Sequence, residues 1–231
     1  MTLAVGGLVR FSTCDYPGHL AAVVFCQGCP WRCRYCHNPH LLPVNGAPAL
    51  TWQDIRAFLE TRRGLLDAVV FSGGEPLLQS GLPAAVREVR ALGFRVGLHT
   101  GGIYPGRLAR LVPWLDWVGL DVKAGFADYE RITGVAGSGK RARASVELLL
   151  ASGVAHELRT TIHPALMHPA ALLELGEQLA AMGVSRYFVQ AFRPTGVRDS
   201  LLTGGTLDYR AYREVLDTLA GRFRHFGFRP A

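Results

Sequence analysis

The chain has 231 residues, 49% of them hydrophobic, a mean hydropathy of +0.16, a formal net charge of +7 and a pI near 9.5. That composition suffices to bury the core of one large α/β domain. It contains no run of about eighteen apolar residues, and the N-terminal MTLAVGGLVRF lacks a charged segment followed by an apolar stretch and a cleavage site, so no membrane partner and a cytoplasmic location are expected. The excess charge is scattered, with KRAR at 140–143 as one small cluster; solvated faces account for it, and no nucleic-acid partner is expected.

Apolar, β-branched runs alternate with helical patterns along the chain. Residues 20–26 (LAAVVFC), 67–73 (DAVVFSG), 94–100 (FRVGLHT), 116–123 (DWVGLDVK), 156–162 (HELRTTI) and 186–192 (RYFVQAF) read as buried strands. The first helix opens with Thr51 and Asp54 in capping-box spacing and carries Trp52, Ile55, Phe58 and Leu59 on one face. Further helices are expected near 81–92, 105–112, 141–151 and 169–182, and a last one, capped by Thr206, over 207–221. Six strand-helix repeats predict a parallel sheet with right-handed crossovers. Eight would close a barrel, so six predict a partial (β/α)6 TIM-like barrel with outer helices, one domain over 1–231. Ligands of such sheets sit at the carboxyl ends of the strands.

The first strand runs into CQGCPWRCRYC, residues 26–36, which holds four of the five cysteines within a loop over 26–40. An odd count crowded into one segment argues against a disulfide framework and for metal or redox chemistry. Zinc ribbons separate their paired cysteines by about 15–20 residues. Here three residues separate the pairs, which favours an iron-sulfur cluster held by one compact run. Four thiolates would close a four-iron cluster as in an electron carrier, whereas three would leave one iron open.

Later strand ends carry matching signals. Ser72 to Pro76 reads SGGEP, with bare glycines for close approach and Glu75 as an acceptor for an ammonium group. His99 to Gly102, including Thr100, closes the third strand. Asp121 and Lys123, two residues apart on the fourth, point to one side. Arg159 on the fifth calls for an anion such as a carboxylate, and the sixth supplies Gln190 and Arg193.

The CxxxCxxC of Cys29, Cys33 and Cys36 resembles the radical S-adenosylmethionine superfamily, and SGGEP resembles its GGE motif. Nearly the whole chain shares the resemblance. FSTCDYPGHLAAVVFCQGCPWRCRYCHNPHLL is similar to the opening of glycyl radical enzyme activating enzymes, in particular the anaerobic ribonucleoside-triphosphate reductase activating proteins; SGGEPLLQ, LDVK and LRTTIHP follow in the order of the pyruvate formate-lyase activators.

The resemblance implies a [4Fe-4S] cluster on Cys29, Cys33 and Cys36 and S-adenosyl-L-methionine chelated to its fourth iron. Tyr35, Cys36 and His37 would line the adenine side, and Gly73, Gly74, Glu75, Thr100, Asp121, Lys123 and Arg159 the methionine and ribose. A flavodoxin or similar donor would reduce the cluster, the nucleotide would split to methionine and a 5′-deoxyadenosyl radical, and that radical would take a hydrogen from a glycine Cα of a partner enzyme. Cys26 and Cys14 are expected outside the cluster. His99 and Arg193 depart from the pyruvate formate-lyase activators, which have an acidic residue and a histidine near those positions. The absence of cysteines after Cys36 argues against branches with auxiliary clusters. Two other readings stand beside this one: a radical enzyme acting on a small molecule or nucleobase, like the 7-carboxy-7-deazaguanine synthases, and a ferredoxin-like module in which Cys26 completes the cluster. His156, His163, His168 and His225 are expected at the surface or at caps, and Trp31 either shields the cluster or meets the partner.

Overall fold

The computed structural model describes residues 3–203 and 208–230. Its strands and helices alternate as β1 (Val5–Ser12), β2 (Ala21–Cys26), α1 (Trp52–Glu60), β3 (Ala68–Gly73), α2 (Leu82–Ala91), β4 (Arg95–Thr100), α3 (Pro105–Leu111) and β5 (Trp117–Asp121). They continue as α4 (Tyr129–Thr133), α5 (Ser138–Ser152), β6 (Ala155–Ile162), α6 (Pro169–Ala181), β7 (Arg186–Ala191), α7 (Ser200–Thr203), α8 (Arg213–Ala220) and β8 (His225–Arg229). All eight strands form one sheet in sequence order; β1 pairs antiparallel with β2, every later pair is parallel, and β1 and β8 are the sheet's two ends, so it is an open barrel.

The six expected strands are β2 to β7 with boundaries shifted by a few residues. Two more flank them. β1 escapes the strand pattern because VGGLVRFS places two glycines where an apolar run would signal a strand, and β8, HFGFR, is a short edge with one glycine and two basic residues. The capping box at Thr51 forms as expected: its side chain accepts from Asp54 N, and the Asp54 carboxylate accepts from Thr51 N. The last helix is shorter than expected, because its regular part spans only Arg213–Ala220 after a 3-10 turn at Arg210–Tyr212. The Tyr209 hydroxyl accepts from Phe192 N and the buried Tyr212 hydroxyl donates to Met167 O, tying this segment to the body instead of letting it coil. The cap at Thr206 and the expected start at Leu207 lie outside the described residues.

Two apolar layers hold the sheet. The outer one, between strands and helices, takes alternate side chains such as Val24, Cys26, Val69, Phe71, Val96 and Leu98 together with Ile55, Val86 and Leu149 from the helices. The inner one is small and fills the end of the barrel away from the site: Tyr16, Val23, Val70 and Trp117, with Tyr16 and Trp117 rings 5.3 Å apart. Above this plug the inward positions turn polar, as Ser72, His99, Asp121, Arg159 and Thr161. Among the described residues no helix is long and apolar enough to cross a membrane.

Candidate functional site

A cavity of about 190 Å³ opens at the carboxyl ends of β3 to β6. Cys29, Cys33 and Cys36 line it together with Tyr35 and His37. Gly73, Gly74, Glu75 and Thr100 form a second side, and Asp121, Lys123 and Arg159 a third. Thus residues from five separate segments meet around one space. All five cysteines are free. Cys26 is fully buried in the outer core and Cys14 lines a neighbouring cavity, so neither reaches this wall.

The glycines serve a purpose beyond ligand approach. Gly73 sits at φ +112°, and a Cβ there would lie 2.4 Å from Cys26 N. A Cβ on Gly74 would lie 2.3 Å from Gly28 O. The backbone of the GGE turn therefore presses directly onto the cysteine loop, held by Gly74 N donating to Cys26 O and Glu75 N to Gly28 O, both 2.9 Å.

Glu75 is buried and receives the Thr100 hydroxyl at 2.8 Å, Leu77 N at 3.0 Å and Gly101 N at 3.1 Å. Three donors against about four lone-pair sites leave one acceptor position for a further cation. Burial pushes its carboxyl up to about 7, against the pull of the Thr100, Leu77 and Gly101 bonds. Burial likewise pushes the Cys29 thiol up to about 12, with the Glu75 charge adding to it.

The opposite wall is a chain of charges. Arg159 Nε donates to Asp121 Oδ1 at 3.0 Å, and Lys123 Nζ lies 3.5 Å from Asp121 Oδ2. Despite the burial cost, Arg159 and Lys123 hold the Asp121 carboxyl below its usual range. Lys123 stays charged: burial works against it, and Tyr35, Asp121 and Cys33 outweigh that burial. Lys123 lies beyond the end of β5 instead of within the strand, yet Tyr129 hydroxyl accepts from its backbone N–H at 2.9 Å and fixes its place in the wall. His99 joins the same chain. Its Nε2 lies 2.9 Å from Asp15 O and 3.3 Å from Arg159 Nη1, and its Nδ1 lies 3.4 Å from Ser72 Oγ. Burial first, then the Arg159 guanidinium, hold the ring well below its usual pKa and neutral.

Several residues of this region escaped the sequence reading. Ser72 was read only as the start of the SGGEP turn, and Thr161 shares a strand face with Arg159 two positions away, so strand alternation could have flagged it. Asp15 has no such signal, because it follows the unforeseen β1. Gln190 and Arg193 line the adjoining cavity toward β8, with Arg229 and Cys14. Trp31 is buried, so it does not meet a partner; its indole Nε1–H has no acceptor among the described residues. His163 is a core residue instead of a surface one, joined to Leu202 O and Ala165 N, while His168 does cap α6 through Ala171 N.

The family model of the radical SAM superfamily matches residues 23–169. A chain of Methanocaldococcus jannaschii named "Putative glycyl-radical enzyme activating enzyme" is 30% identical over 206 residues, covering 86% of this chain and 84% of that one. The pyruvate formate-lyase-activating enzyme of Clostridium pasteurianum is 35% identical over 135 residues, 55% of this chain and 54% of its own. Streptococcus suis SuiB, solved with S-adenosylmethionine, superposes with a TM-score of 0.67 at 14% identity; the match covers 89% of this chain but spans about half of SuiB, 48%, and shows the fold. With the partial barrel, the family match and the near-full-length relative in agreement, this chain belongs to the radical S-adenosylmethionine superfamily and, within it, to the glycyl-radical enzyme activating enzymes.

Proposed function

We propose that the chain, as one radical S-adenosylmethionine core domain, activates an anaerobic ribonucleoside-triphosphate reductase by placing a radical on a glycine of that partner. The observation that carries this reading is the convergence of Cys29, Cys33 and Cys36 with Glu75, Asp121, Lys123 and Arg159 around one cavity. The donors fit a [4Fe-4S] cluster on the three cysteines: the thiols are free and share a wall, and the buried Trp31 Nε1–H beside them lacks an acceptor that a sulfide or thiolate would supply.

When bound, the cluster supplies one-electron cleavage of S-adenosylmethionine to methionine and a 5′-deoxyadenosyl radical, which takes the glycine hydrogen. The chain does the holding. Glu75 offers its remaining acceptor position to the methionyl ammonium, and Lys123 and Arg159 offer cations to the carboxylate. His37, fixed by Arg193 O at 3.0 Å, and Tyr35 border the adenine side. Thr100 keeps Glu75 in place by donating to its carboxylate. A flavodoxin or similar carrier would supply the electron in the cytoplasm, where free cysteines stay reduced.

The test is anaerobic loading with iron and sulfide, then incubation with S-adenosylmethionine, reductant and the reductase. Production of 5′-deoxyadenosine together with a carbon-centred radical on the reductase, lost when its glycine is replaced by alanine, is the expected result. Nucleotide cleavage without a radical on any glycyl radical enzyme would overturn the assignment and leave the small-molecule reading.

A further inference from the structure

Outside the site, one groove combines charge, an exposed aromatic ring and nearness to the cysteine loop. It lies between α2 and α3, where Arg87, Arg107 and Arg110 line it with Leu82 and Trp114. No carboxylate lines it among the described residues. Arg107 is spent on structure, donating to Leu77 O at 2.8 Å and Leu78 O at 2.6 Å. Arg87 and Arg110 take no hydrogen bond or ion pair among the described residues and project their charge outward. Trp114 is 43% exposed beside them.

This groove is lined by Leu77 of the turn Pro76–Leu78, which directly follows Glu75. The turn's other side rests on the cysteine loop: a Cβ on Gly28, the neighbour of Cys29, would lie 2.9 Å from the Leu78 side chain. A protein seated in the groove is thus separated from the cysteine loop by one thin layer of chain. Unpaired arginines around an apolar centre select an acidic surface and steer its approach.

We propose that the α2–α3 groove docks an acidic one-electron carrier protein that reduces the cluster. This rests on the function proposed above, which requires an electron from outside the chain. One electron leaves the carrier, which is oxidised by one, and enters the cluster, which is reduced by one; no bond or proton is exchanged.

The test uses the loaded enzyme, flavodoxin as the probe carrier, and the double variant Arg87→Glu with Arg110→Glu. Titration calorimetry with oxidised flavodoxin should show Kd rising about tenfold or more, and wild-type binding should weaken with added salt. Flavodoxin-driven S-adenosylmethionine cleavage should fall in parallel, while dithionite-driven cleavage stays unchanged. Trp114→Ala should raise Kd by a smaller factor and lose none of the salt dependence. An unchanged Kd in the double variant overturns the docking site. So does loss of dithionite-driven glycyl radical formation with flavodoxin binding intact, which would assign the groove to the radical partner. Failure of the wild-type enzyme to cleave the nucleotide even with dithionite would instead count against the proposed function.

Discussion

The two long walls of the cavity are built by different physics. The wall formed by the cysteine loop, the GGE turn and Thr100–Gly102 depends on shape: glycines allow backbone to lie on backbone, and peptide N–H groups hold Glu75. The wall formed by Asp121, Lys123, Arg159 and His99 depends on charge, with side chains held by one another. A shape-built wall fails all at once when one atom is added, because an interior at close packing does not yield. A charge-built wall fails by degrees, since neighbours and pH share the load.

The largest effect is expected at the inorganic end of the first wall. Replacing Cys29, Cys33 or Cys36 with alanine should leave iron content after loading near zero and abolish nucleotide cleavage while the circular dichroism spectrum stays native. Next comes Gly73→Ala. With a Cβ 2.4 Å from Cys26 N and a left-handed φ, it should destabilise the fold by about 3 kcal/mol, read from urea midpoints. If it costs no more than a surface change, the wall is not built by shape.

A pair of charge-neutralising variants compares the walls by pH. Between about pH 4.5 and 6.5 the unfolded chain binds a proton at its equivalent of His99 that the native ring refuses, so His99 makes stability rise with pH. Glu75 acts oppositely: its folded pKa of about 7 means that the native state keeps a proton the unfolded chain has lost, so stability falls as pH rises from about 4.5 to 7. The two offset each other in the cluster-free protein. His99→Gln should therefore tilt its stability downward with rising pH and Glu75→Gln upward, each by at most about 1.4 kcal/mol per unit. Equal slopes in the two variants would refute the contrast. The smallest effect is expected for Cys26→Ala, about 1 kcal/mol of lost packing with iron content and cleavage unchanged. Loss of the cluster there would revive the four-cysteine, ferredoxin-like reading.

Much of this was legible in the sequence because buried parallel strands announce themselves as β-branched runs, and chemistry sits just after them. Cys29 and Glu75 follow that rule; Asp121 closes β5, and Arg159 lies within β6 and lines the same cavity. What was hidden lay in edges and in partnerships. β1 and β8 are half-exposed and glycine-bearing, so no run marks them, and Asp15 was lost with β1. That Gly73 also presses on Cys26, or that Tyr209 and Tyr212 replace a helical turn, depends on contacts between segments far apart in the chain.

The sheet's strand order, which runs β1 to β8 without a single exchange, also governs how the molecule comes into being. Synthesis delivers domains from the N-terminus, at about 5–20 residues per second. The cysteine loop emerges with the second strand, whereas Arg159 arrives on the sixth, more than a hundred residues later by the numbering. For several seconds on that timescale the thiols are present without the wall that will face them.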